Sequence, residues 1–213
     1  YHPWDSIQTV DVLGNVIVDL DTVDTEGIFF ELTHSYDIYG GFPSGGSELF
    51  ERNPAQYSTI LSGDKNQNNS PDAGDAHTIA VAYTDITSNV DGLIFENAYA
   101  DGVANVDRYG AGIIDYSDAQ FSNCIFRNLH AIGSTSSGVG AAYIKFSGNS
   151  VMVNCLFHDN YSTQSGGAIS CEAGSIEAIN CTFAQNNADG RGGAIHMWIG
   201  SFHAKNSVFA ENT

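Results

Sequence analysis

Two short motifs in the last third of the chain recur together at a fixed interval, and that interval restricts the fold more than any other feature. Gly166-Gly167-Ala168-Ile169 returns as Gly192-Gly193-Ala194-Ile195, 26 positions on, and a looser Gly140-Ala141-Ala142-Tyr143 stands 26 positions earlier. In phase with it runs Asn-(Cys/Ser)-x-Phe-x-x-Asn: Asn154-Cys155-Leu156-Phe157 with Asn160, Asn180-Cys181-Thr182-Phe183 with Asn186, and Asn206-Ser207-Val208-Phe209 with Asn212. Asn123-Cys124-Ile125-Phe126 with Asn128 is the same motif one residue shorter, and Gly92-Leu93-Ile94-Phe95 with Asn97 is a more degenerate copy. A unit this small cannot bury its own apolar face, so it must stack on its neighbours.

The segments between the motifs decide how the units stack. Ser175-Ile176-Glu177-Ala178-Ile179 alternates as a short strand does, Gly and Asn bound each segment, and no helical apolar stripe of useful length is present. The expected fold is therefore all-β: a right-handed parallel β-helix, a solenoid with coils of about 26 residues in the C-terminal half and longer insertions in the N-terminal half. Residues 1–213 read as a single β-helix segment, with 64–77 as an inserted polar loop. Stacking then predicts an interior column of Phe157, Phe183 and Phe209, an amide ladder of Asn154, Asn180 and Asn206 at a bend, and a sharp corner with positive φ at Gly-Gly.

Composition agrees with a chain of many turns and few surface helices. Charged residues are 15% of the sequence against roughly 25% in an average soluble domain, and there are 23 glycines. The formal net charge of −18 repels phosphate backbones and anionic headgroups, which argues against nucleic acid and against direct membrane insertion. No signal or transit peptide pattern is visible. The abrupt start at Tyr1-His2-Pro3-Trp4 and the end at Asn212-Thr213, inside a repeat, suggest a fragment of a longer secreted protein.

The two motifs resemble the repeats of polymorphic outer-membrane-protein passengers and of right-handed β-helix surface proteins common in Bacteroidetes. Asp37-Ile38-Tyr39-Gly40-Gly41-Phe42-Pro43, Glu48, Arg52-Asn53 and Tyr57 through Asp64 look like the opening coils of the second group, and the likeness spans roughly residues 36–213. The resemblance implies a non-catalytic, extracellular or cell-surface scaffold, adhesin-like or structural, whose faces contact carbohydrate or other surface proteins. A polysaccharide-active enzyme, lyase or glycoside hydrolase, and a stalk or filament subunit that self-associates are the alternatives.

Candidate chemistry is thin. A lyase base would come from Lys65, Lys145, Lys205, Arg52, Arg108, Arg127 or Arg191, no two of which share a repeat phase, and Arg52 reads as structural. Carboxylate pairs such as Asp19 with Asp21, Asp72 with Asp75 and Asp115 with Asp118 read as solvated surface in so acidic a chain, not as a hydrolytic dyad. His2, His34, His77, His130, His158, His196 and His203 lack zinc-type spacing. No catalytic residue or cofactor is assigned. Calcium is the one cation suggested, with Asp64, Asn66, Asn68, Asp72 and Asp75 placing hard oxygens in one Gly-containing loop, although a flexible polar insertion explains the same residues. Asp19, Asp21, Asp24 and Glu26 are a second, weaker set. Cys124, Cys155 and Cys181 share one inward slot with Ser207 and read as buried free thiols, a disulfide between neighbouring coils being the alternative, with Cys171 outside the slot.

Overall fold

The chain winds in successive turns of three short strands, each turn adding one strand to each of three parallel sheets. The computed structural model describes residues 28–46, 48–102, 109–133 and 139–213. Within them sheet 1 runs through Ile28–Leu32, Thr78–Ala82, Ile113–Asp115, Tyr143–Lys145, Ile169–Cys171 and Ile195–Met197. Sheet 2 runs through Asp37–Tyr39, Asn89–Asp91, Gln120–Ser122, Asn149–Val153, Ser175–Ile179 and Ser201–Lys205. Sheet 3 holds Thr59–Ser62, Leu93–Ala100, Ile125–Ala131, Leu156–His158 with Tyr161–Ser162, Thr182–Ala184 with Asn187–Ala188, and Val208–Ala210. This is a right-handed parallel β-helix, of which the described residues form six coils, numbered here in chain order, and the last coils pair in the register of the sequence repeat: Ile169 lies against Ile195, Ile176 against Phe202 and Phe183 against Phe209.

The repeated residues stack as single columns. Phe95, Phe126, Phe157, Phe183 and Phe209 form one ladder of near-parallel rings, with successive centroids 4.6–4.8 Å apart and interplanar angles of 2–9°. That spacing is the strand separation of a sheet, so each ring occupies one rung. Phe121 and Phe202 meet this ladder edge-on from sheet 2, closing the core between the faces.

The asparagines divide their work differently from the expected ladder. Asn123, Asn154, Asn180 and Asn206 are exposed and adopt φ of 50–55°, in the slot where Gly92 has φ 77°. Their job is the left-handed corner between sheets 2 and 3, which Asn tolerates better than other side chains. The continuous amide ladder lies six residues later. Asn160 Nδ2 donates to Asn186 Oδ1 at 2.8 Å, Asn186 Nδ2 donates to Asn212 Oδ1 at 2.9 Å, and each amide also donates to a carbonyl of the preceding coil, Phe126, Phe157 and Phe183 in turn. Asn128 does not belong to it. It shares the left-handed slot of Asn97, Asp159, Gln185 and Glu211, and Leu129 fills the ladder position, its N–H donating to Asn160 Oδ1.

The Gly-Gly corners combine two constraints. Gly166 and Gly192 have φ of 67° and 65°, whereas Gly167 lies so close to the next coil that a Cβ would stand 2.1 Å from the Gly193 carbonyl oxygen. The inward thiols form their own column: Cys124, Cys155 and Cys181 approach the carbonyls of Val90, Phe121 and Met152, each one coil back, and the Ser207 hydroxyl donates to that of Ala178. All four cysteines are free and buried. Cys171 lines sheet 1 instead, and burial pushes its thiol up to about 11.

Candidate functional site

The polar insertion at residues 64–77 connects Thr59–Ser62 of sheet 3 to Thr78–Ala82 of sheet 1. All five oxygen-bearing residues singled out for calcium fall in it, tied to one another and to backbone donors. The Asp64 carboxylate accepts the N–H groups of Asn68 and Asn69 at 3.2 and 2.6 Å, and the Asp75 carboxylate accepts those of Lys65 and Asp72 at 3.0 Å each. Asp72 accepts the amides of Asn66 and Asn68, whose own oxygens accept the N–H groups of Asn68 and Ser70. Burial raises the Asp75 carboxyl above its ordinary value of 3.8, against two backbone N–H bonds that pull it down; Asp72 and Asp64 add like charge. Among the described residues no group of three or more His, Cys, Asp or Glu could hold a metal ion. Asp19, Asp21, Asp24 and Glu26 lie outside the described residues, as do His2 and Arg108.

Four of the basic side chains bind carboxylates across coils. Arg52 pairs with Asp91, donates to the Gly40 carbonyl at 2.7 Å and stacks over the Tyr39 ring, which is the structural role its sequence context suggests. Arg127 pairs with Glu96 and Lys205 with Glu177. The fourth pair corrects the sequence reading: Asp115 is not solvated surface, because it and Lys145 are both fully buried inside the tube, 2.7 Å apart. Asp118, on the outside, accepts the Asn149 N–H, so the two carboxylates cannot flank one cleft. The cause is register. Ala82, Asp115, Lys145, Cys171 and Met197 occupy one interior column of sheet 1, and a charge there requires an opposite charge on the next rung.

The Lys145–Asp115 pair sits in a closed network. Asp115 Oδ1 accepts the Ser117 N–H at 2.7 Å and the Ser117 hydroxyl at 2.6 Å. Oδ2 faces the Tyr143 hydroxyl, the Lys145 ammonium and Ser150 Oγ, the last at 2.9 Å. Lys145 Nζ also donates to the Ser117 carbonyl and lies 2.6 Å from Ser150 Oγ. Burial, and then the neighbouring Asp115 charge, push the Tyr143 hydroxyl well above its ordinary value, so it remains a donor.

Outside the tube, the residue after each sheet 1 strand forms a second column that identity-based repeats do not reveal. The backbone N–H groups of Tyr83, Tyr116, Phe146, Glu172 and Trp198 each donate to a carbonyl one coil back, those of Leu32, Ala82, Asp115, Lys145 and Cys171, and so place the five side chains in register. Tyr116 and Phe146 stack at 4.9 Å and 12°, and Tyr109 meets Phe146 edge-on at 5.7 Å; together they pack on Val81, Ile114 and Ile144. Tyr83 is 38% exposed and donates to Glu31, while Trp198 is 63% exposed. Desolvation first, and Glu31 next, raise the Tyr83 hydroxyl; desolvation raises that of Tyr116. Both stay protonated donors at neutral pH. The signal was in the phase: Phe146, Glu172 and Trp198 each fall three residues after the strand-opening Tyr143, Ile169 and Ile195. A shorter file of Tyr99, His130 and Tyr161 runs along sheet 3, with Tyr161 donating to Asp189 at 2.7 Å.

Among the described residues no helix is long and apolar enough to cross a membrane. No curated protein and no solved structure matches the chain. Two stretches, residues 154–172 and 180–197, match the Chlamydia polymorphic membrane protein repeat; each begins at a corner asparagine and runs through sheet 3 into the following strand of sheet 1, stopping before the sheet 2 strand that completes the turn.

Proposed function

We propose that the chain is a non-catalytic stretch of a cell-surface β-helix protein, an adhesin-like scaffold that presents its outer aromatic column to carbohydrate. The repeat match and the likeness of residues 37–64 to the opening coils of Bacteroidetes surface β-helices support the surface placement. The observation that carries the contact is the file of Tyr83, Tyr116, Phe146 and Trp198 along one edge of sheet 1, interrupted only by Glu172. Aromatic faces with hydroxyl and carboxylate neighbours suit the apolar face and hydroxyl rim of a sugar ring, and successive coils offer successive platforms. A net charge of −18 favours neutral over anionic glycans.

A glycan array tests this. Binding of neutral saccharides by the wild-type chain, lost in the double variant Trp198→Ala, Tyr83→Ala with unchanged circular dichroism, is the expected result. Retention in that variant would remove the column from the contact. Turnover of acidic polysaccharides, seen as absorbance of unsaturated products, would favour the lyase reading, and concentration-dependent scattering would favour the filament subunit.

A further inference from the structure

The structure assigns the buried Lys145 and Asp115 side chains to a covalent modification: we propose that they condense spontaneously to an intramolecular isopeptide bond that locks the third coil to the fourth. The two groups lie on neighbouring rungs of one interior column, and both are completely withdrawn from solvent. Lys145 Nζ stands 2.7 Å from Asp115 Oδ2, which puts the nitrogen beside the carboxyl carbon it would attack and holds it there by two further acceptors, the Ser117 carbonyl and Ser150 Oγ.

The two carboxylate oxygens have different surroundings, and the difference matches the chemistry. Oδ1 is held by two donors, the Ser117 N–H and hydroxyl, in the arrangement that stabilises the negative charge of a tetrahedral adduct. Oδ2, the oxygen to be expelled, is surrounded by the hydroxyls of Tyr143 and Ser150 and by the attacking nitrogen itself. Proton transfer within the ion pair gives the neutral amine and the carboxylic acid. The Nζ lone pair then forms the C–N bond as the C=O electron pair moves onto Oδ1. Return of that pair breaks the bond to Oδ2, which leaves as water carrying its own proton and one from Nζ, relayed through the Ser150 hydroxyl. The products are a secondary amide and one water, with no oxidant, reductant or added reagent. A dry interior favours this condensation over the reverse hydrolysis and removes two charges from an apolar lumen.

A bond at this position joins residues thirty apart in sequence and one coil apart in space, a covalent rung in a tube otherwise held by hydrogen bonds and packing. It is independent of the carbohydrate reading.

Intact-mass measurement of the native chain tests the proposal. The expected result is a mass lower than that of the sequence by one water, together with a branched peptide in a digest that joins the segments containing Asp115 and Lys145, and no tryptic cleavage after Lys145. Lys145→Met and Asp115→Ala should each restore the full mass. A wild-type protein of full mass overturns the proposal. So does a water loss that maps to the Asp-Gly steps at Asp91-Gly92, Asp101-Gly102 or Asp189-Gly190, where a succinimide forms without Lys145. Because the decisive reading is made on wild-type protein, misfolding of a variant does not affect it.

Discussion

Replacing Phe157 by Ala should remove the central rung of the aromatic ladder. The ring has no exposed surface and is sandwiched between Phe126 at 4.6 Å and Phe183 at 4.8 Å. Truncating a fully buried Phe costs about 3–5 kcal/mol through lost transfer energy and the cavity left behind. Loss of two stacked pairs puts the variant toward the upper end of that range. For a chain of this length each kcal/mol corresponds to roughly 2–4 °C, so thermal unfolding should fall by about 8–20 °C. Phe209→Ala is the internal control. That ring is 48% exposed and has one stacked neighbour, so its truncation should cost roughly 1–2 kcal/mol. Calorimetry of the two variants, with hydrogen exchange to locate the loosened coils, makes the comparison. Equal losses, or a loss below about 1 kcal/mol for Phe157→Ala, would refute the column as the source of stability.

Four further substitutions probe other parts of the chain. Gly167→Ala should cost about 3 kcal/mol or more, because its Cβ would meet the Gly193 carbonyl, whereas Gly45→Ala, with φ 78° and open space, should cost only about 1–2 kcal/mol of backbone strain; urea melts distinguish them. Asn186→Leu fits sterically, since Leu129 already occupies this slot, yet it leaves the Phe157 carbonyl without its side-chain donor and takes one acceptor from Asn160; a loss of about 1–3 kcal/mol for each buried group left unpaired should appear in the same melts. The folded-state pKa of Asp75 is raised, so its stabilising contribution is present at low pH and is lost as pH rises through that value. Asp75→Asn gives up one of the two backbone N–H bonds, because Lys65 and Asp72 donate to different carboxylate oxygens and an amide has only one, but it also removes the charge, so its melting temperature relative to the wild type should be higher at pH 7 than in acid. A loop organised around calcium would behave oppositely, with the substitution costing more at pH 7 than in acid and with chelation destabilising the wild type.

The architecture was legible because the strongest signals, the Phe and Gly-Gly positions, repeat as identical residues, and identity at a fixed interval needs no structure to be seen. Asn128 shows where that reading stops. Its letter aligns it with Asn160, but it stands five residues after Asn123 where Asn160 stands six after Asn154, and the strand pairing of Phe126 with Phe157 puts it level with Asp159, in a left-handed kink. Lys145 and Asp115 were missed for a related reason. Their column also carries Ala82, Cys171 and Met197, and opposite charges in an apolar slot become a pair only when coils of unequal length are set in register. The outer file of Tyr83, Tyr116, Phe146, Glu172 and Trp198 repeats in position and not in residue type, so a search for recurring letters passes over it. In the loop at residues 64–77, the oxygens that suggest a cation also match the backbone donors that close the loop, and composition cannot separate those uses.

The most direct test of the solenoid is a nuclear Overhauser experiment on phenylalanine-labelled protein. Centroid separations of 4.6–4.8 Å between successive rings require ring-to-ring cross-peaks linking Phe126 to Phe157, Phe157 to Phe183 and Phe183 to Phe209, with no direct cross-peak that skips a rung. Rings that show no such sequence of contacts, or that contact one another out of order, would contradict the stacked tube.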